Sequence, residues 1–260
     1  MKKLLAFSLA FLTIAIFPTQ HIPASAATFS YAVMDMESGE IVLSKCENEK
    51  HSVASLTKIV TAITALENIE SLDAKYYVPH AATVVEGSSI YLQDGEQVSV
   101  RELLFGLMLR SGNDSATMLM QIVGGNANGF SNLMNELAQN VGATNSHFEN
   151  PHGLENANHF STAADLCKIT RYAMTNPTFA DIVSTKFYKG ERTTYQNKNK
   201  MLWNYSGANG VKTGFTTKSG RCLVTTATHN EKSLVCVVLN CPDMWNISTQ
   251  LLDKAFATMR

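Results

Sequence analysis

Apolar residues recur at helical spacing through Leu56, Ile59, Val60, Ile63 and Leu66, which predicts a helix over residues 55–67 with one buried face. Two short runs before it, residues 29–36 and 40–44, read as strands joined by a Glu37-Ser38-Gly39 turn. Ser99 and Glu102 have the spacing of a capping box ahead of Leu103, Leu104, Leu107 and Met108, and that helix stops near Arg110-Ser111-Gly112-Asn113. Further helices are predicted from about Asp114 to Gly124-Gly125, over residues 130–141, and from a Thr162/Asp165 cap to Asn176-Pro177. The period then changes. Residues 210–216, 222–228 and 233–240 read as strands, with a hairpin turn at 229–232. Ile247, Leu251, Leu252, Ala255, Phe256 and Met259 mark a closing helix. Strands, a helical stretch, strands and a helix predict an α/β (α+β) fold. Its first and last strands meet in one sheet flanked by helices, with an inserted helical lobe.

Composition narrows the class. The chain has 260 residues, 45% of them hydrophobic and 17% charged, with a net charge of −1. That suits a globular protein with a real core, and the lack of any basic block argues against nucleic acid as a partner. Lys2 and Lys3, the apolar run over residues 4–17, and Ala24-Ser25-Ala26 form the pattern of a cleaved export signal over residues 1–26. No later apolar run reaches spanning length, so no stable membrane anchor is expected. Cys46, Cys167, Cys222, Cys236 and Cys241 are odd in number and include no CxxC pair. They are read mostly as buried thiols with no specific bridge and no metal site.

Three short motifs carry candidate chemistry. Ser55-Leu56-Thr57-Lys58 sets a hydroxyl and an amine three residues apart at a helix start, on one face. A helix N-terminus offers free N–H groups and positive potential. A serine there becomes a nucleophile if a base takes its proton, and lysine is that base only when its ammonium is destabilised. Ser111-Gly112-Asn113 falls between two helices and supplies a hydroxyl for proton relay and an amide for orientation. Lys212-Thr213-Gly214 falls in a strand. Its Lys and Thr suit a carboxylate, and its Gly permits close backbone approach. Singly these motifs are weak, since roughly one SxxK is expected in any chain of this length. Together, in this order and on these elements, they are specific.

That joint pattern resembles the signature of penicillin-interacting serine enzymes, the β-lactamases and penicillin-binding proteins. The surroundings are similar to D-alanyl-D-alanine carboxypeptidases, the low-molecular-weight penicillin-binding proteins. The similar segments are residues 54–62, 107–116, 150–154, 159–163 and 210–216. The resemblance runs from about Phe29 to the last helix. It implies a β-lactamase/transpeptidase-like fold with an antiparallel sheet, one catalytic domain over residues 27–260, and no cofactor. Its implied activity removes the terminal D-Ala from peptidoglycan stem pentapeptides. Ser55 is the implied nucleophile, Lys58 its base, and Ser111 and Lys212 the proton path to the leaving D-Ala. Asn113 orients the substrate, Lys212, Thr213 and Gly214 line the carboxylate site, and the N–H groups of Ser55 and Phe215 form the oxyanion hole. β-Lactam antibiotics are the implied inhibitors.

The chain departs from many relatives at Val53, where they carry Pro, and at Asn209, where they carry an acid. It ends at Arg260, where many relatives continue into a β-rich domain and an anchor helix, so an exported, released or loosely wall-associated enzyme is expected. Two rival readings are a β-lactamase, with Glu149, Glu155 or Asp165 holding a water, and a non-catalytic sensor of peptidoglycan or β-lactams. His152 and His159 are read as loop-structuring residues.

Overall fold

The computed structural model describes residues 29–259; the expected export segment, residues 1–26, lies outside them. Strand β1 (Ser30–Asp35) turns into β2 (Ile41–Lys45), and a 3-10 turn (Ala54–Leu56) leads into α1 (Thr57–Asn68). The lobe follows with β3 (Lys75–Tyr77), α2 (His80–Thr83), β4 (Gln97–Ser99), α3 (Val100–Phe105), a π turn (Gly106–Arg110), α4 (Asn113–Gly124) and α5 (Ala127–Asn140). After α6 (Ala163–Ala173) come α7 (Pro177–Ser184), β5 (Phe187–Lys189), β6 (Thr194–Gln196) and α8 (Met201–Asn204). The chain closes with β7 (Ala208–Thr216), β8 (Gly220–His229), β9 (Lys232–Leu239) and α9 (Met244–Thr258).

The main sheet has the order β2-β1-β9-β8-β7, with every neighbour antiparallel. First and last strands do meet: Ser30 pairs with Leu239 and Asp35 with Leu234. Alternation along β9 assigns its two faces. Leu234, Cys236 and Val238 pack in the cluster that includes Leu251, Leu252 and Ala255 of α9, while Val235, Val237 and Leu239 join the core shared with α1 and the lobe. The turn between β8 and β9 is Asn230-Glu231, both at positive φ (48° and 66°), as a two-residue hairpin with the right twist requires.

Several boundaries differ from the sequence-based expectation, each for a local reason. The α-helix begins at Thr57, because Ala54 sits at φ 47° and a single 3-10 turn carries Ser55. Ser99 accepts from the Glu102 N–H, but the Glu102 carboxylate does not complete a capping box. It is buried and instead takes the Tyr195 hydroxyl and the Glu191 N–H. Thr162 caps α6 in the same half-box manner, while Asp165 accepts from Asn145 N and Ser146 Oγ. Asn176-Pro177 does not merely end a helix; it starts α7, with Asn176 Oδ1 accepting from Thr178 N and Phe179 N. Four cysteines are buried free thiols, whereas Cys46 is exposed. No helix among the described residues is long and apolar enough to cross a membrane.

Phe148 anchors the loop that reaches toward α1. Its ring is fully buried and meets His159 edge-on at 5.5 Å, and its backbone N–H and C=O are both held by the Asn135 amide. Phe148→Ala opens a cavity the size of a ring, and we expect a loss of about 3–5 kcal/mol of unfolding free energy. Urea denaturation checks this; a midpoint unchanged at constant m would contradict the assignment of Phe148 as a core anchor.

Candidate active site

The three motifs converge. Ser55, Ser111, Thr213, Gly214 and Phe215 line one cleft of about 270 Å³, together with Ser88, Lys198, Arg221, Met244 and Trp245. The 3-10 turn sets Ser55 at the N-terminal end of α1, and Lys58 lies in that helix's first turn on the same side. Lys58 Nζ is 3.0 Å from Ser55 Oγ, 2.7 Å from Asn113 Oδ1 and 2.7 Å from the His152 carbonyl oxygen. Lys58 is 0% exposed, and its ammonium is held well below the ordinary lysine range, first by burial, then by the charges of Lys212 and Lys198. A neutral amine fits these contacts. In that state its two N–H bonds would satisfy Asn113 and His152, and its lone pair would face the Ser55 hydroxyl.

Each partner is itself held. The Asn113 amide nitrogen donates to the Glu86 carbonyl, which fixes Oδ1 toward Lys58. The loop carrying Glu86 and Ser88 is pinned by Asp114, a buried carboxylate that accepts from Ser89 Oγ, Ile90 N and Leu92 N. On the other side, Thr61 donates to the Pro151 carbonyl at 2.6 Å. A Cβ on Gly153, which has φ +81°, would overlap the Ala54 carbonyl, so only glycine lets this loop close on the turn that carries Ser55.

His152 and His159 act as that loop's struts. Each accepts a backbone N–H on Nδ1, from Leu154 and Glu149 respectively, so the neutral ring carries its proton on Nε2. His159 Nε2 thus donates to Thr57 Oγ1 at 2.7 Å. Burial first, then neighbouring positive charge, pushes His152 down to about 3 and His159 to about 4, so both stay neutral at ordinary pH.

Lys212 is also fully buried and donates to the Thr213 carbonyl at 3.0 Å; burial and then Lys198 push its pKa down to about 7. Gly214 does what its place in the motif requires: a Cβ there would lie 3.0 Å from the Val53 carbonyl and 3.3 Å from Leu56 N. Strand β7 therefore lies directly against the turn that holds Ser55. Ser111 is buried beside the cleft in the left-handed region (φ 66°), as is Ala54 just before Ser55. Each such residue costs about 1–3 kcal/mol and is kept only where the surroundings impose it. No direct hydrogen bond joins Ser111 to either lysine.

Sequence reasoning missed Lys198 and Arg221. Arg221 stands opposite Phe215 across β7 and β8, with its guanidinium carbon 5.8 Å from the Phe215 ring centroid, and lines the cleft. Neither residue belongs to a motif, and only the register and the loop path bring them in. Among the described residues no group of three or more His, Cys, Asp or Glu is arranged to hold a metal ion.

Comparison with known proteins follows the same lines. A family model described as D-alanyl-D-alanine carboxypeptidase matches residues 18–243. A D-alanyl-D-alanine carboxypeptidase of Streptomyces sp. (strain K15) is 35% identical over 260 residues, covering 90% of this chain and 89% of that protein. The D-alanyl-D-alanine carboxypeptidase DacF of Bacillus subtilis is 29% identical, covering 88% of this chain but 62% of its own length. Among solved structures, a mutant of the Streptomyces K15 DD-transpeptidase superposes with a TM-score of 0.84 at 34% identity, covering 88% of this chain and 97% of that one. A D-alanyl-D-alanine carboxypeptidase from Mycobacterium tuberculosis superposes with a TM-score of 0.82 at 31% identity, covering 88% and 90%.

Proposed function

The chain belongs to the D-alanyl-D-alanine carboxypeptidase family, and from that premise we propose that it removes the terminal D-Ala of peptidoglycan pentapeptides through an acyl-enzyme on Ser55. The observation that carries the reading is the fully buried Lys58 amine, 3.0 Å from Ser55 Oγ. Neutral Lys58 takes the hydroxyl proton as Oγ attacks the D-Ala-D-Ala carbonyl. The N–H groups of Ser55 and Phe215 receive the oxyanion. The C–N bond breaks, and the proton reaches the departing amine by way of Ser111 and Lys212. Lys212 and Thr213 hold the leaving carboxylate, with Arg221 as a further cation, and Asn113 orients the substrate amide. Water then releases the peptide and restores Ser55. A β-lactam acylates the same serine and leaves slowly.

Two of the three rival water-holding carboxylates, Glu149 and Asp165, are otherwise engaged, which supports this reading over a β-lactamase. Glu149 pairs with His147 at 2.9 Å, and Asp165 is tied to Asn145, Ser146 and Lys168. The pattern over residues 1–26 supports export and signal cleavage, which would leave residues 27–260 as one catalytic domain acting on the cell wall. The purified protein incubated with a pentapeptide ending in D-Ala-D-Ala should release one D-Ala per peptide and turn over nitrocefin slowly. Nitrocefin hydrolysis at many turnovers per second, with the pentapeptide left intact, would reverse the choice.

The charge of Lys212 acts on Lys58 and makes acylation sensitive to pH. The reactive form of Lys58 is neutral, so acylation rises with pH through its depressed pKa and then levels. Lys212 is the second-largest cause of that depression. Lys212→Met removes its charge, raises the Lys58 pKa, and should move the rising limb to higher pH as well as lowering the rate. Second-order acylation by a penicillin, measured from pH 5 to 10, reads the limb; a limb moved to lower pH would contradict the coupling. With the wild type, Lys212 loses its own charge as the pH passes about 7, so KM for the carboxylate-bearing substrate should rise on the alkaline side.

A further inference from the structure

Asp114 follows directly on Asn113 and is only 2% exposed, yet among the described residues it forms no ion pair. Its two oxygens accept from Ser89 Oγ and from the N–H groups of Ile90, Leu92 and Ser115. Accepting from four donors and donating to none is the behaviour of an ionised carboxylate. The loop it clamps holds Asn113 in turn: the Glu86 carbonyl takes the Asn113 side-chain amide and the Ser88 carbonyl its backbone N–H. A clamp does not by itself call for a charge, because a buried charge without a counter-ion is costly. Neutral amides do the same work in two other loops. Asn150 Oδ1 accepts from His152 N and Gly153 N, and Asn176 Oδ1 from Thr178 N and Phe179 N.

The group that feels the charge is Lys58. Asn113 Oδ1 meets Lys58 Nζ at 2.7 Å, and Asp114 is the next residue in the same first turn of α4. The charged groups acting on Lys58 come from three elements: Lys212 on β7, Lys198 on the loop between β6 and α8, and Asp114 on α4. Burial first, then Lys212 and Lys198, lower its affinity for a proton, and Asp114 alone opposes them. His152 and His159 on the facing loop stay neutral at ordinary pH. A base has two requirements that pull apart. It must be neutral, and it must hold a proton well enough to take one from serine. Base strength falls with pKa, so the most effective base titrates near the working pH. Burial and two lysines left unopposed would give an amine that is always neutral and too weak.

We propose that Asp114 is a positioning residue whose carboxylate serves as counter-charge to the lysines of the cleft, keeping Lys58 a strong enough base to take the Ser55 proton. The inference rests on Lys58 as the base and adds no reactant. The proton passes from Ser55 Oγ to Lys58 Nζ as the bond from Oγ to the carbonyl carbon forms, and Asp114 exchanges none.

The test measures second-order acylation by a penicillin from pH 5 to 10 for the wild type, Asp114→Asn and Ser89→Ala, with Tm beside each rate. Asp114→Asn removes the charge, so Lys58 becomes neutral at lower pH and weaker as a base. Its rising limb should move to lower pH while its alkaline plateau falls by about threefold to tenfold. The variant is then faster than wild type on the acid side and slower on the alkaline side, and the two profiles cross. A variant that only loosens the loop loses rate at every pH. Ser89→Ala removes one anchor of that loop and keeps the charge, so it should show a lower plateau on an unmoved limb. If Asp114→Asn does not fold, Asp114→Ser removes the same charge, with room beside its hydroxyl for a water, and carries the same expectation. Three results overturn the proposal: a folded Asp114 variant whose limb stays in place or moves to higher pH, one whose rate lies below wild type throughout, or a crossing shown equally by Ser89→Ala. A wild-type profile with no rising limb would remove Lys58 as the base, and this inference with it.

Discussion

Ser55→Ala protein mixed with a fluorescent penicillin should remain unlabelled, and its release of D-Ala from a pentapeptide should fall by at least about a thousandfold. Among the described residues no other hydroxyl combines the two features on which this expectation rests. The Oγ of Ser55 lies 3.0 Å from a buried, depressed amine, and its own N–H sits in the strained turn against which β7 packs closely at Gly214. Ser111 shares the cleft but has no hydrogen bond to Lys58. Ser88 is bonded to Lys198 at 3.4 Å, a lysine depressed by partial burial rather than enclosed. Label retained at wild-type level by Ser55→Ala would refute the nucleophile assignment. Partial label moved to Ser111 or Ser88 would show instead that the base is less selective than its geometry.

Lys58→Ala should reduce acylation by about a hundred- to ten-thousandfold, the range for loss of a positioned general base. Lys58→Arg should not restore it, because a guanidinium keeps its proton at every workable pH and cannot accept one from serine. The alanine variant also leaves Asn113 Oδ1 and the His152 carbonyl without their Lys58 partner. Some loss of thermal stability is therefore expected, of about 1–3 kcal/mol. Measuring Tm beside the rate separates the two effects. A folded Lys58→Ala protein should still be labelled at Ser55, only slowly. A folded Lys58→Arg protein acylating near the wild-type rate would exclude Lys58 as base.

Much of the frame was legible in the sequence, since alternation and helical spacing report burial directly. The pairing of β1 with β9 and the two-sided cover of β9 follow from runs such as Leu234 to Leu239, apolar at every position. The small pairs β3–β4 and β5–β6 were not legible. Each strand has three residues, too few for a period to stand out. Local signals misled where tertiary demands outbid them. Glu102 and Asp165 occupy the third helical position that a capping box uses, yet burial against Tyr195 and Ser146 redirects both carboxylates. The start of α1 shifted because Gly153 and Gly214 press on the Ala54–Leu56 turn from two sides, and no helix propensity registers such a contact.

The sequence by itself determined which candidate groups the fold would bring together. Ser55 and Lys58 share a face through covalent spacing on one helix start, and the three motifs together are too specific to be chance. Tertiary structure alone decided that Lys58 is a buried amine beside Ser55 and not a solvated cation. Its depressed charge comes from burial and from Lys212 and Lys198, which stand 154 and 140 positions further along the chain. Likewise Arg221 and Lys198 reach the cleft only through strand register and the path of one loop. Desolvation and long-range charge depend on distances through space, and a linear sequence does not state them.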